Sequence, residues 1–219
     1  MWTFKGSKKL MEKFKEVVYR YFISHFRKHT RMYQIHSGNE TKDLRIFMME
    51  CMEGKRVNKL ADELRKKYSD DWLLEFGAED PLDYDRMVVD ILREVHNLIT
   101  YKSDQKVWAV PEYWQTPKET LSKLTGDCED GAILIVTLAR LSGVPASRIF
   151  LSAGYVEYGR STVGHAYVTY LGSDAAEYIL DWCYFPDMRR IPTRKRNWYD
   201  KRYLMPRWFF GNDSGFYKK

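Results

Sequence analysis

Gly126-Asp127-Cys128-Glu129-Asp130-Gly131-Ala132 is the stretch that decides the fold. It ends in Ile133-Leu134-Ile135-Val136-Thr137-Leu138-Ala139-Arg140-Leu141, apolar nearly all round, and Gly143 follows as a stop. The pattern predicts a buried helix from about Cys128 to Leu141, with a cysteine in its first turn. A helix N-terminus carries N–H groups without intrahelical acceptors and a partial positive charge. Both favour thiolate over thiol, and the thiolate is the nucleophile. Gly164-His165-Ala166-Tyr167-Val168 begins the next candidate for chemistry, with His165 37 residues beyond Cys128, and Ile179-Leu180-Asp181-Trp182 places Asp181 16 residues further on. Alternation of apolar residues predicts strands over 148–156, 163–171 and 177–183. On the second strand His165, Tyr167 and Thr169 share a side; on the third Ile179, Asp181 and Cys183 do. If those sides coincide, the chain has a nucleophile, a base and an orienter in the order Cys, His, Asp.

These motifs, Cys at a helix start in GDCED, GHAYV on a strand and LDW on the next, resemble the transglutaminase-like superfamily, and most closely its microbial transglutaminase-like cysteine proteinases. Tyr113-Trp114-Gln115-Thr116-Pro117-Lys118-Glu119-Thr120-Leu121 is similar to the segment that leads into the Cys helix in such proteins. The resemblance covers about residues 84–186. It implies an α+β, papain-like or transglutaminase-like core in which the Cys helix packs on an antiparallel sheet. It implies Cys128 as nucleophile, His165 as acid and base, and Asp181 as the residue that holds the imidazole.

The oxyanion of such a reaction needs preorganised donors. The Cys128 backbone N–H is one candidate. Gln115, in the loop before the capping box Thr116-Pro117-Lys118-Glu119, is expected to be the other, with the indole N–H of Trp108 or Trp114 as alternatives. Asp127, Glu129 and Asp130 crowd the nucleophile with negative charge that would raise its pKa. First-turn acids also suit a helix dipole, which is reason enough for their presence. In some transglutaminase-like proteinases the acids beside the Cys help bind calcium, and Asp127 and Glu129 match those positions. Calcium takes six to eight oxygens; two carboxylates do not make a site. The expectation is therefore no metal and no cofactor, with calcium at Asp127 and Glu129 as the lesser alternative.

The activity expected is thiol-dependent acyl transfer on a protein or peptide substrate, with hydrolysis of a peptide or isopeptide bond first. The alternatives are a transglutaminase that joins Gln to Lys, or a binding or structural protein that keeps the fold without the chemistry. Two regions are expected. Residues 1–83 read as a helical N-terminal region packed on the core, with helices over 7–30, from Thr41 to Met52 and from about Leu60 to Tyr68. Residues 84–219 read as the catalytic core with a basic, aromatic C-terminal extension that shows no clean periodicity after Pro186.

The chain of 219 residues carries a formal charge of +6, unevenly spread. Residues 1–36 hold nine Lys/Arg against two acids and 187–219 hold ten against three, whereas 71–186 hold nine against eighteen. The basic ends would suit an acidic partner or nucleic acid, or would pair with the acidic middle. The three cysteines, Cys51, Cys128 and Cys183, give no disulfide framework and no CxxC site; Cys51 and Cys183 read as core. The start Met1-Trp2-Thr3-Phe4-Lys5 lacks a signal-peptide core, and no run is apolar enough for a transmembrane segment, so the expected location is cytoplasmic.

Overall fold

The computed structural model describes residues 27–28, 34–37, 40–68, 83–183 and 207–218. The Cys helix, Cys128–Leu141, runs through the middle. Ile133, Leu134, Ile135 and Val136 are each fully buried. No side of this helix faces water, so it needs partners all round. Before it come strands β1 (Arg27–Lys28), β2 (Gln34–Ser37) and β3 (Glu40–Asp43), and helices α1 (Leu44–Glu50), α2 (Lys55–Tyr68) and α3 (Tyr84–Leu98). Then follow β4 (Thr100–Tyr101), α4 (Asp104–Val107), α5 (Pro117–Lys123) and β5 (Thr125–Gly126), which make the Cys helix α6. Strands β6 (Ile149–Tyr158), β7 (Ser161–Leu171), β8 (Glu177–Leu180), β9 (Phe209–Asn212) and β10 (Gly215–Lys218) complete the order.

Six strands form one sheet in the order β1-β10-β9-β6-β7-β8, antiparallel throughout. Helix α6 packs between this sheet and helices α2, α3 and α5. Ala153, Ala166 and Val168 join α6 in the main core, while Val156, Tyr167 and Ile179 form a separate small cluster. Alternation along the strands thus separates a helix-bearing face from a second face. Among the described residues no helix is long and apolar enough to cross a membrane.

Several sequence expectations change here. The helix expected over 7–30 lies outside the described residues except at its end, where 27–28 are strand. Strands β2 and β3 pair antiparallel, from Gln34 with Asp43 to Ser37 with Glu40, where the expectation was a helical region. Thr41 belongs to β3, and Asp43 caps α1 instead, accepting from the Arg45 N–H at 3.0 Å. Asp43, the last residue of the strand and extended as an N-cap is, adjoins the first turn of α1, whereas Thr41 lies two residues further back. Helices α1 and α2 do bury their apolar sides, including Leu44, Phe47, Met48 and Val57, in the same core as α6. At the other end, 209–218 form a β-hairpin closed over Asp213-Ser214, where the sequence shows no clear period.

Candidate active site

The start of α6 is held by interlocking contacts. Asp127 and Asp130 form a reciprocal capping box, each carboxylate accepting from the other residue's backbone N–H. The Asp130 carboxylate also accepts from the Gln115 backbone N–H at 2.8 Å and from the Gln115 side-chain amide. A Cβ at Gly126 would lie 2.6 Å from Asp130 Cβ, so this turn closes only on glycine. A Cβ at Gly131 would lie 2.2 Å from the indole of Trp182, which rests on the first turn of α6 and donates its Nε1–H to the Cys128 carbonyl at 3.2 Å. The two motifs GDCEDGA and LDW are therefore one packed unit, with Gly131 as the seat for Trp182.

On the sheet, His165 Nε2 and Asp181 Oδ2 are 2.7 Å apart and both side chains are buried. The register explains the meeting. Thr169 pairs with Ile179 and Val168 with Leu180, so Asp181 follows beside Tyr167 and on the same face as His165. The other Asp181 oxygen accepts from the Cys183 backbone N–H at 3.1 Å. That leaves the carboxylate oriented from both sides. Below it the His165 and Tyr167 rings stack at 6.0 Å. Burial pushes the Tyr167 hydroxyl up to about 12, with the Arg207 guanidinium pulling the other way.

Cys128 meets the same strand. Its sulfur lies near the backbone N–H of Ala166, the residue after His165, which favours the thiolate. Its thiol donates to Glu129 Oε2 at 3.1 Å. Burial first, then the charges of Glu129 and Asp127, push the thiol well above its ordinary value. The acids themselves are raised, each by burial first: Asp127, Glu129 and Asp130, and Asp104 to about 7.

Asp104 and Glu112 were not among the sequence candidates. Parallel pairing of Thr100-Tyr101 with Thr125-Gly126 lays the start of α4 beside the start of α6. One donor oxygen each from Asp104, Asp127 and Asp130 lies within 4.8 Å of the others, and the same holds for Asp104, Glu112 and Glu129. Among the described residues, Asp104 Oδ1, Asp127 Oδ1 and Glu129 Oε1 are buried with no hydrogen-bond donor. Five carboxylates thus converge, although capping of α6 uses only the Asp127–Asp130 pair; Asp104 Oδ2 accepts from the Tyr113 backbone N–H at 2.5 Å and Glu112 from the Trp114 indole. Hard oxygen donors in this number suit a divalent cation such as calcium.

The expected roles fare differently. His165 and Asp181 are brought together, and Cys128 reaches the strand beside them. Gln115 is fully buried, but its Nε2 donates to Asp130 and to the Thr125 carbonyl at 3.2 Å. Both of its amide hydrogens serve the α6 start, so it positions Asp130 rather than offering an oxyanion donor. The Trp114 indole donates to Glu112 at 2.7 Å. Trp108 stacks on Tyr113 with ring centroids 4.0 Å apart, beneath the Lys123 ammonium.

A sequence model described as the transglutaminase-like superfamily matches residues 70–185, more than half of the chain. The chain belongs to that superfamily, and its helices and antiparallel sheet form the transglutaminase-like fold. No curated protein matched in sequence. Among solved structures, Legionella pneumophila LapG in an EGTA-treated form is similar at a TM-score of 0.52 and 16% identity, covering 85% of this chain and 87% of that one. A second LapG structure gives 0.50 and 16%, covering 85% and 90%. A calcium-bound LapG gives 0.45 and 21%, covering 74% and 87%. The expectation of a site without a cofactor is corrected here. The two acids weighed in the sequence, Asp127 and Glu129, stand in this chain within a five-carboxylate cluster, and one LapG structure similar in fold is of an EGTA-treated form.

Proposed function

We propose that this chain is a thiol-dependent hydrolase of peptide or isopeptide bonds, with Cys128 as nucleophile, His165 as acid and base, and Asp181 as orienter. The observation that carries the reading is the buried His165–Asp181 pair at 2.7 Å on the strand that Cys128 touches at the next residue. A buried carboxylate on one imidazole nitrogen fixes the tautomer and stabilises the ring when it takes up a proton. Here Nε2 faces Asp181, so the nitrogen that would serve the thiol is Nδ1. The thiol proton passes to His165, and the sulfur attacks the amide carbonyl carbon. The Cys128 backbone N–H, at the helix start, stabilises the oxyanion. His165 then returns the proton to the departing amine, leaving a thioester that water hydrolyses.

Asp104, Glu112, Asp127, Glu129 and Asp130 fit a calcium ion, which would supply positive charge against the carboxylates that raise the Cys128 thiol. The chain's own residues set the rest. Gln115 holds Asp130, Asp130 closes the turn with Asp127, and Trp182 fixes the Cys128 carbonyl, so the sulfur's position is decided before any substrate arrives. The test is mass spectrometry after brief iodoacetamide treatment at neutral pH, with calcium or with EGTA. Cys128 should label ahead of Cys51 and Cys183, and faster with calcium. Equal labelling of the three cysteines under both conditions would remove the activated thiolate. Peptide-library cleavage by the same sample then reads hydrolysis, and lysine-amine incorporation without cleavage would assign transamidation instead.

A further inference from the structure

The hairpin of β6 and β7 runs past the start of α6. Cys128 stands over Ala166, which pairs with Ala153 on the helix-bearing face. The next pair on that face is Tyr155 with Gly164, about 7 Å further along at the rise of a strand. Among the described residues no helix covers it, because α6 begins at Cys128. Instead Trp208 arrives from the start of β9, its backbone N–H donating to the Ala153 carbonyl at 2.8 Å. Its ring lies on Gly164, where a Cβ would come within 2.7 Å of the indole. Tyr155 stands against it edge to face, ring centroids 4.9 Å apart at 87°. Both rings are large apolar surfaces, 50% and 38% exposed.

The geometry points to a substrate subsite: Tyr155 and Trp208, seated on Gly164, receive an apolar side chain of the polypeptide whose bond Cys128 attacks. The inference rests on the proposed role of Cys128 and adds a specificity that the triad does not have. Three observations converge. The space off a helix N-terminus is where the oxyanion must lie, so the substrate runs over this part of the sheet. Gly164 precedes His165 in the strand but belongs to the helix-bearing face with Ala166, and the room it leaves there is filled by a ring rather than by a side chain of the strand itself. Two aromatic faces at right angles form an apolar corner, which aliphatic or aromatic groups fill and charged groups do not. One strand step of two residues puts the corner one or two residues from the reacting carbonyl.

The test uses the whole chain in calcium buffer and three alkylating probes: iodoacetamide, N-benzyl iodoacetamide and iodoacetylglycine. Rates at Cys128 are read by peptide mass spectrometry and divided by each probe's rate with glutathione. The benzyl probe should be favoured over iodoacetamide by about tenfold, the size of one buried aromatic contact, and iodoacetylglycine should gain nothing. Trp208→Ala and Tyr155→Ala should each bring the ratio close to one, whereas Trp208→Phe should keep part of it. Tyr155 is half exposed, so its variant reads the subsite even if Trp208→Ala loses its fold by circular dichroism. No benzyl preference in the unaltered chain, or a preference unchanged in both alanine variants, overturns the subsite. Failure of the nucleophile reading is separate: it appears as slow iodoacetamide labelling of Cys128 itself, with the ratio between probes still measurable.

Discussion

Two helix starts, at Pro117 and at Cys128, solve the same problem with different chemistry. At α5, Thr116 accepts from the Glu119 N–H, and Glu119 accepts from the Thr116 N–H at 2.8 Å, with Pro117 inside. One neutral cap and one acid satisfy the first turn, and the carboxylate finds further donors in Thr116 and Tyr113. At α6, Asp127 and Asp130 do the same capping, yet Glu129, Asp104 and Glu112 are added to them. Like charges in a buried site cost free energy. Folding needs only the first arrangement. The surplus of carboxylate at the second, around a cysteine, marks the point where function departs from the needs of the fold.

The largest effects should appear where that comparison is broken at the chemistry. Cys128→Ser is nearly isosteric, and should leave circular dichroism unchanged while abolishing cleavage of every library peptide that the unaltered chain cuts. Cleavage at the original rate would end the nucleophile reading. Asp181→Asn should come next. It keeps the size of the side chain but presents an amide to His165 Nε2, which favours the wrong tautomer, and the expected loss in kcat is roughly 10⁴-fold. A loss below tenfold would show that His165 does not depend on Asp181.

Much of the contrast is legible in the sequence. Helix α6 spans 128–141 as its apolar run and Gly143 indicate, and the Thr116–Glu119 capping box is where its spacing puts it. The strand period of two gives the faces of His165 and Asp181 from the sequence, but that the two faces coincide is set by the β7–β8 register, which the sequence does not give. What was not legible depends on pairing at a distance. Asp104 and Glu112 reach the site through a two-residue parallel bridge, too short to leave a pattern. Gln115 stands where an amide was expected, but Asp130 captures it, and no local rule says which partner a buried amide takes. The hairpin 209–218 does carry a signal: Asn212-Asp213-Ser214-Gly215 lies between Phe209-Phe210 and Phe216-Tyr217. That turn chemistry was outweighed by the charged residues before it.

Calcium should separate the two helix starts by stability. At a hundredfold excess over its Kd, a bound ion adds about 2.7 kcal/mol, or roughly 5–10 °C in Tm for a chain of this size. Thermal unfolding with calcium and with EGTA measures it. Glu129→Gln should raise Tm in EGTA, because it removes one of the crowded charges, and should shrink the calcium shift. Glu119→Gln, at the other helix, should lower Tm in EGTA and leave the calcium shift intact. The same response from both variants would mean that the α6 acids act only as caps.

The smallest effect belongs to Thr116→Ala. Thr116 touches none of the carboxylates around Cys128, and its hydroxyl and backbone serve α5 alone. Loss of an N-cap of this kind costs about 1 kcal/mol. Chemical denaturation should show that loss as a lower midpoint with an unchanged slope, since the surface exposed on unfolding stays the same. Peptide cleavage and the calcium shift should both persist. The value of so mild a variant lies in its neighbour: Gln115 is adjacent to Thr116 and clamps Asp130 from a loop that α5 anchors. If Thr116→Ala reduces calcium binding by more than its stability loss accounts for, the two helix starts are mechanically coupled through Gln115. If it does not, the loop holds its shape without the cap, and the Asp130 clamp is set by the core beneath it.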